Sequence, residues 1–194
     1  GVVGLRMNDG GTTIAPHRMD TNNVADNSVD LGYANGRWKD LYLSGGAYLG
    51  GTAAANKLDN YEEGTFSPQV WVGSTQQTLS RADAGYVKIG DYVFYQLAII
   101  VSGAISGSGT VQIRNFPFNF GGFGPNSNGR AGGSISYTNA SIMPIGLLGG
   151  VGTTVVDIYT SSTAGTAGAM STSLQGSDLV SGWNMHFTMQ TRIA

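Results

Sequence analysis

Residues 86–101, which decide the fold, read YVKIGDYVFYQLAIIV. Two apolar runs flank Gly90-Asp91, and glycine at the first position of a two-residue loop is typical of a type II′ β-turn. We therefore expect an antiparallel hairpin at this point. The second arm, 92–101, carries apolar residues on both of its faces and is interrupted only by Gln96. This pattern predicts a central strand that is covered on both sides.

The C-terminal residues carry a different strand pattern, with period two. Such alternation places successive side chains on opposite faces of a sheet and predicts one apolar and one polar face. The apolar set is Trp183, Met185, Phe187, Met189, Thr191 and Ile193, and the polar set is Asn184, His186, Thr188, Gln190 and Arg192. Further candidate strands lie at 66–72, 110–114, 116–120, 130–138, 141–148 and 153–160. Short strands at this spacing predict a jelly-roll-like β-sandwich head over residues 61–194.

The composition of the 194 residues favours an assembly over an isolated domain. Charged residues make up 11% of the chain, where roughly 25% is usual, so much of the surface is neutral or hidden against other copies. A net charge of −2 with scattered basic residues predicts no nucleic-acid partner. The longest apolar run is too short to cross a bilayer as a helix, so we expect no membrane insertion. The chain has no cysteine, which excludes disulfides and thiol catalysis.

Residues 1–60 differ from the rest and predict a shaft or neck segment. Short apolar groups alternate with turn residues, and the Tyr42-Leu43 pair before Gly45-Gly46 recurs as Tyr48-Leu49 before Gly50-Gly51. Such short β-repeats cannot complete a core within one chain, because repeats need neighbours to bury their apolar faces. Residues 53–60 favour one or two helical turns that act as a hinge. The predicted interior of the assembled shaft consists of Leu31, Trp38, Leu41, Leu43, Tyr48 and Leu49.

Five sequence blocks follow one another in this first third of the chain. They are NSVDLG at 27–32, RWKDLYLSGG at 37–46, YLGG at 48–51, NKLD at 56–59 and YEEGT at 61–65. In this order they resemble the distal part of bacteriophage tail fibre and tailspike-like proteins. The resemblance implies a homotrimer with a narrow interwoven shaft and a C-terminal β-domain that touches the host surface. It also implies a virion protein of the tail fibre, made in the host cytoplasm and active outside the cell.

The acidic residues offer little for catalysis. Glycoside hydrolysis needs two carboxyl groups about 5 to 10 Å apart, whereas Glu62 and Glu63 are neighbours that an extended chain points to opposite faces. Asp157 is the one acid whose place within a strand pattern has no structural explanation. His17 and His186 lack the nearby partner that a metal site or a catalytic pair requires. We therefore predict no catalytic residue, no metal and no cofactor in a non-enzymatic protein.

The function that these features favour is adhesion, in which a trimeric fibre tip recognises a host-surface polysaccharide or outer-membrane protein. Binding residues commonly lie on loops held by a rigid scaffold, and aromatic and amide side chains cluster on two glycine-rich loops. The candidate receptor contacts are Phe123, Asn126, Asn128, Arg130, Tyr137 and Asn139. Two alternatives stay open. One is a purely structural fibre or capsid-decoration protein that caps and trimerises a shaft, and the other is a polysaccharide depolymerase.

Overall fold

The structure is a computed structural model that divides into two compact units, Gly1–Ser44 and Gly45–Ala194. Within the described residues all regular structure is β, apart from 3-10 turns at Ala54–Asn56 and Gly176–Asp178. The predicted all-β fold class is confirmed. The described residues are 3–7, 11–58, 60–121, 132–161 and 170–193.

The first unit contains a three-stranded antiparallel sheet that the sequence patterns did not predict. β1 (Val3–Met7) pairs with β2 (Ile14–Arg18), which pairs with β3 (Asn23–Val24). The short strands expected over residues 27–46 do not form, and the described residues there make one isolated bridge between Tyr33 and Gly36. A lone extended segment leaves its backbone groups without partners from its own chain. The β-repeats were expected to be completed by neighbouring chains, so their place in an assembled shaft stays a prediction.

The second unit is a β-sandwich with a small hairpin at its start. Its strands are β4 (Ala47–Tyr48), β5 (Lys57–Leu58), β6 (Tyr61–Thr65), β7 (Gln69–Val72), β8 (Thr75–Gln76), β9 (Leu79–Ile89), β10 (Tyr92–Val101), β11 (Val111–Arg114), β12 (Gly132–Thr138), β13 (Pro144–Gly149), β14 (Val156–Ser161), β15 (Met170–Ser173) and β16 (Asn184–Arg192). The five-stranded sheet has the order β12-β16-β10-β9-β6. The six-stranded sheet has the order β13-β14-β11-β7-β8, and β15 pairs with β14. The separate hairpin consists of β4 and β5.

Both strand patterns that predicted the sandwich are confirmed. β9 and β10 pair as an antiparallel hairpin in which Tyr92 lies opposite Ile89. Gly90 has a φ of +59°, the left-handed conformation that the first position of a type II′ turn needs. In β16 the alternate residues Met185 and Phe187 are buried, whereas Thr188 on the other face is exposed.

The hydrophobic core lies between the two sheets. Alternate residues of β10, among them Leu97 and Ile99, belong to one buried cluster with Ile113 and Ile158 of the six-stranded sheet. Burying a side chain of this size stabilises the fold by about 1.5 to 3 kcal/mol relative to leaving it exposed. The sandwich is thus held together by strand faces that alternate as the sequence predicts.

The strand expected at residues 116–120 does not form. Asn115 has a φ of +72°, a left-handed conformation that ends β11 and turns the chain. Phe116 and Phe120 instead insert their rings into the core, with centroids 5.1 Å apart, and both meet the ring of Tyr95 edge-on. This edge-to-face arrangement is the favoured geometry for aromatic pairs.

The predicted hinge at residues 53–60 contains less helix than expected. Among the described residues of 53–60, helical structure is limited to the 3-10 turn Ala54–Asn56, which leads directly into β5. The contact boundary between the two units lies after Ser44, so the β4–β5 hairpin belongs to the second unit. The functional division into residues 1–60 and 61–194 stays a prediction.

β10 is the central strand of its sheet, but it is not covered on both sides. Val93, Tyr95 and Leu97 are buried in the sandwich, whereas Tyr92 and Phe94 on the opposite face are 49% and 46% exposed. The prediction of two covered faces is wrong, because no element in the described part of the chain packs on the outer face of the five-stranded sheet. That outer face forms a concave surface.

Candidate functional site

The outer groove is the concave outer face of the five-stranded sheet, with a cavity volume of about 1610 Å³. All five strands contribute residues to its lining. Antiparallel register aligns these residues in rows that run across the sheet. The central row consists of Thr65, Gly85, Gln96, Thr188 and Ser134.

Exposed hydrogen-bonding side chains lie along the middle of the outer groove. Gln96 lies opposite Thr188, and Ser134 lies opposite Thr188 from the other side. Gln190 lies in the adjacent row, opposite Phe94. All of these side chains are exposed, because their strand neighbours point into the core. An amide and a hydroxyl each both donate and accept hydrogen bonds, so the groove can satisfy either kind of polar partner.

Small residues give the outer groove its depth. Gly85 lies between Thr65 and Gln96, and a Cβ atom added to it would meet no atom closer than the Gly64 carbonyl oxygen at 3.6 Å. A Cβ added at Gly132, on the opposite side of the sheet, would meet no atom within 4 Å. Larger side chains at these two positions would therefore fill the groove without a clash against the backbone.

The charges at the edges of the outer groove are engaged with neighbours. The Arg81 Nε donates to Asp83 Oδ2 at 2.6 Å, which closes an ion pair within β9. Tyr61 Oη donates to Glu63 Oε2 at 2.8 Å. This hydrogen bond and the nearby carboxylate raise the pKa of Tyr61 above its usual value. The charged lining residues Glu63, Arg81 and Asp83 therefore each have a polar partner.

Tyr137 and His186 form an aromatic pair at the end of the outer groove. Their ring centroids are 5.6 Å apart, and Tyr137 is 50% exposed. His186 lines the groove, and its Nε2 atom is buried without a hydrogen-bond partner. This is the place where a predicted receptor contact, Tyr137, adjoins the concave surface.

Asn139 is tied into the fold. Its Oδ1 accepts from the backbone N–H of Asn184 at 2.7 Å, and its Nδ2 donates to the Gly182 carbonyl at 3.3 Å. These bonds attach the loop after β12 to the start of β16. The other predicted receptor contacts, Phe123, Asn126, Asn128 and Arg130, lie outside the described residues.

The acids considered for catalysis have structural partners. Glu62 Oε1 accepts from Tyr86 Oη at 2.5 Å, whereas Glu63 on the opposite face accepts from Tyr61, so the two glutamates diverge as predicted. Asp157 is explained by Gln112, whose Nε2 donates to Asp157 Oδ1 at 2.7 Å across β11 and β14. Within the described ranges, no cluster of His, Cys, Asp and Glu suits a metal ion.

The residues predicted to line a shaft are all exposed in the single chain. In the first unit this holds for Leu31, Trp38, Leu41 and Leu43, at 53 to 69%. In the second unit Tyr48 and Leu49 are 54% and 59% exposed. Singly exposed apolar residues are ordinary, but Leu41 and Leu43 of the first unit, and Tyr48 and Leu49 of the second, are exposed close together in the sequence.

The three-stranded sheet of the first unit adds a second exposed apolar surface. Leu5, Met7 and Ile14 are each more than 60% exposed, and register places Ile14 opposite Met7. His17, on the other face, is buried, and its Nε2 lies 3.3 Å from Arg6 Nη1. A guanidinium only donates, so His17 Nε2 is the acceptor in this contact.

The sequence patterns missed the outer groove as a site. Its lining residues come from five strands that are far apart in the chain, and loops were the places where binding residues were expected. Two sequence features could have indicated it. One is Gln96, the polar residue that interrupts the apolar strand, and the other is the polar face of β16. Antiparallel pairing of these strands brings both polar sets onto one surface.

Comparisons with known proteins give one solved structure that shares the fold. No family model matches the chain, and no curated protein matches it. No helix in the described residues has the length and apolar character to cross a membrane. The crystal structure of the Dettilon tailspike protein matches over 69% of this chain with a TM-score of 0.55 and 16% sequence identity. The match spans 24% of the tailspike chain, so the likeness covers about a quarter of that longer protein.

Proposed function

We propose that this chain is the host-binding part of a phage tail, a non-enzymatic homotrimer whose heads attach to the bacterial surface. The observation that carries the proposal is the outer groove. It has a cavity volume of about 1610 Å³, and its lining includes exposed amide and hydroxyl groups. Concave surfaces with a few convergent polar groups are the usual sites of ligand binding. The shared fold with a tailspike protein and the sequence blocks at 27–65 support a place in the virion tail.

The exposed apolar residues of the N-terminal third support the trimer. A monomer would leave Trp38, Leu41 and Leu43 more than half exposed to water, at a cost of about 25 cal/mol for each Å² of apolar surface. Association of identical chains removes this surface and also accounts for the low charge of the sequence. Three receptor sites on one trimer would then bind a cell surface more tightly than a single site, because the second and third binding events become intramolecular.

The partners of the acidic residues support a binding role over hydrolysis. Glu62, Glu63 and Asp157 each accept a hydrogen bond from a neighbouring side chain, and the two glutamates lie on opposite faces of β6. Retaining and inverting glycosidases instead need two carboxyl groups that face one bond of the substrate. Glu62, Glu63 and Asp157 therefore provide no carboxyl pair of the kind that a polysaccharide depolymerase needs.

A purely structural role is the second candidate. The exposed apolar face of Leu5, Met7 and Ile14 favours it, since that surface serves assembly rather than recognition. The two functions differ in one outcome, because a structural cap would trimerise without binding cells.

The test is a binding assay with the fluorescently labelled full chain on a panel of bacterial strains. We expect saturable binding to some strains, and no release of reducing sugar from the polysaccharide of those strains. Trimers that bind none of the strains would favour the structural role. Sugar release that one acid-to-amide change abolishes would overturn the non-enzymatic proposal.

A further inference from the structure

We propose that the outer groove binds an uncharged, hydroxyl-rich glycan chain, laid across the rows of the five-stranded sheet. The inference rests on the proposed host-binding function and names its ligand class and site. The main receptor surface is then the outer face of the five-stranded sheet, rather than the two glycine-rich loops that the sequence suggested.

The hydrogen-bonding groups of the outer groove match sugar hydroxyls. Gln96, Gln190 and Thr188 are exposed and lie on two adjacent strands, with Gln96 directly opposite Thr188. Side chains directly opposite each other lie about 5 Å apart, and the next pair on the same face lies about 7 Å further along the strands. Each group both donates and accepts, as a sugar hydroxyl does. A flat array of this kind suits a ligand with many hydroxyls better than one with a single anchor.

Phe94 supplies an apolar patch beside the polar array. Its ring is 46% exposed, and it lies opposite Gln190 in the row adjacent to Gln96. Aromatic rings offer large contact area with a negative face, which favours the C–H groups on one side of a sugar ring. A glycan can thus place its apolar face on Phe94 and its hydroxyls on Gln96 and Gln190.

The electrostatics of the groove disfavour an acidic glycan. Among the described lining residues, the strongly basic side chain is Arg81, which is already paired with Asp83 at 2.6 Å. Glu63 on the neighbouring strand β6 adds a further carboxylate to the lining. A carboxylate or phosphate on the ligand would meet no unpaired Lys or Arg among these residues, so neutral sugars fit best.

A protein receptor fits the groove less well. Protein interfaces draw most of their affinity from large anchors that fill desolvated pockets. Around Gly85 and Ala98 the floor of the groove is instead built from small and polar side chains, which form a broad open surface rather than a desolvated pocket.

Two variants of the trimer test the site. Gly85→Trp fills the groove, and a Cβ at this position meets only ordinary contacts, so the fold should persist. Gln96→Ala with Gln190→Ala removes both amides. The matched controls are Gln76→Trp and Gln76→Ala, since Gln76 is an exposed strand glutamine on the other sheet. We expect both groove variants to bind cells about tenfold to a hundredfold more weakly than wild type, with both controls unchanged.

The probe is cells of a strain that the wild-type protein binds, treated with periodate, which cleaves sugar vicinal diols, or with a protease. We expect periodate to abolish binding and protease to leave it intact. Loss of binding after protease alone would overturn the glycan inference while leaving the host-binding function standing. Wild-type binding by folded groove variants would overturn the site. Failure of the wild-type trimer to bind any untreated strain would overturn the proposed function itself.

Discussion

Gln112 lies opposite Asp157 in the six-stranded sheet and donates from Nε2 to the Asp157 carboxylate at 2.7 Å. The Oε1 atom of the same glutamine accepts from Arg114 Nε at 3.0 Å and from Nη2 at 2.6 Å. The guanidinium of Arg114 in turn lies 4.5 Å from the centre of the Trp71 ring. Asp157 is thus one end of a side-chain network that connects three strands, which gives the carboxylate a structural role.

Asp157→Asn should leave cell binding unchanged and lower the free energy of unfolding by about 1 kcal/mol. The reason is that the hydrogen bond to a charged carboxylate becomes one to the neutral amide oxygen of Asn, which can still accept from Gln112 Nε2. Chemical denaturation and the cell-binding assay measure the two effects. A loss of binding with an intact fold would assign Asp157 to the receptor site.

Leu43→Asp should prevent trimer formation. Three unpaired carboxylates within an apolar shaft would carry a large desolvation cost. The matched control is Ile145→Asp in the head, since Ile145 and Leu43 are 50% and 53% exposed in the single chain. Light scattering should give a monomer for the first variant and a trimer for the second. A normal trimer from Leu43→Asp would mean that this leucine faces outward.

Tyr137→Ala should weaken cell attachment while changing the free energy of unfolding by only about 0.5 kcal/mol. Tyr137 is half exposed and contacts His186 at the end of the outer groove, so its loss affects the binding surface more than the core. Ile145→Ala serves as the control for loss of an exposed apolar side chain. Unchanged attachment would exclude the Tyr137 end of the groove from the receptor contact.

The stability of the head should fall as the pH rises above about 10. Burial raises the pKa of Tyr95, so the folded state keeps a proton that the unfolded state loses once the pH passes about 10. The unfolded state then binds fewer protons, and stability decreases with pH until the folded-state pKa is passed.

Tyr95→Phe isolates this effect. The hydroxyl of Tyr95 is buried without a hydrogen-bond partner, so its removal should leave stability at neutral pH equal or higher. The variant should also lose less stability than wild type at alkaline pH, as denaturation midpoints would measure. Tyr92→Phe, at an exposed position, is the control. Equal alkaline losses in wild type and Tyr95→Phe would contradict the assignment.

Local patterns predicted those elements whose partners lie nearby in the chain. The turn at Gly90 and the alternation in β16 follow from steric and burial rules that act over a few residues, and both are confirmed. The cover expected over Tyr92 and Phe94 is absent from the described chain, because apolar character predicts burial without naming what provides it. In the same way, no local rule brings Gln96 and Thr188 together.

The predicted shaft repeats could not be tested by local patterns alone. Their apolar residues were expected to need neighbours, and in the single chain Trp38 and Leu41 are indeed exposed. If identical chains associate as proposed, backbone partners from other copies could supply the pairing that one chain lacks. The assignment of these repeats to an assembled shaft stays a prediction.

Competition by soluble polysaccharide tests the central claim most directly. Polysaccharide is purified from cells that the labelled trimer binds, freed of protein, and added at increasing concentration to trimer and intact cells. The account predicts that it displaces wild-type trimer from the cells in a saturable way. Binding that stays at its full level at the highest polysaccharide concentration would contradict a head that recognises its host through a glycan in the outer groove.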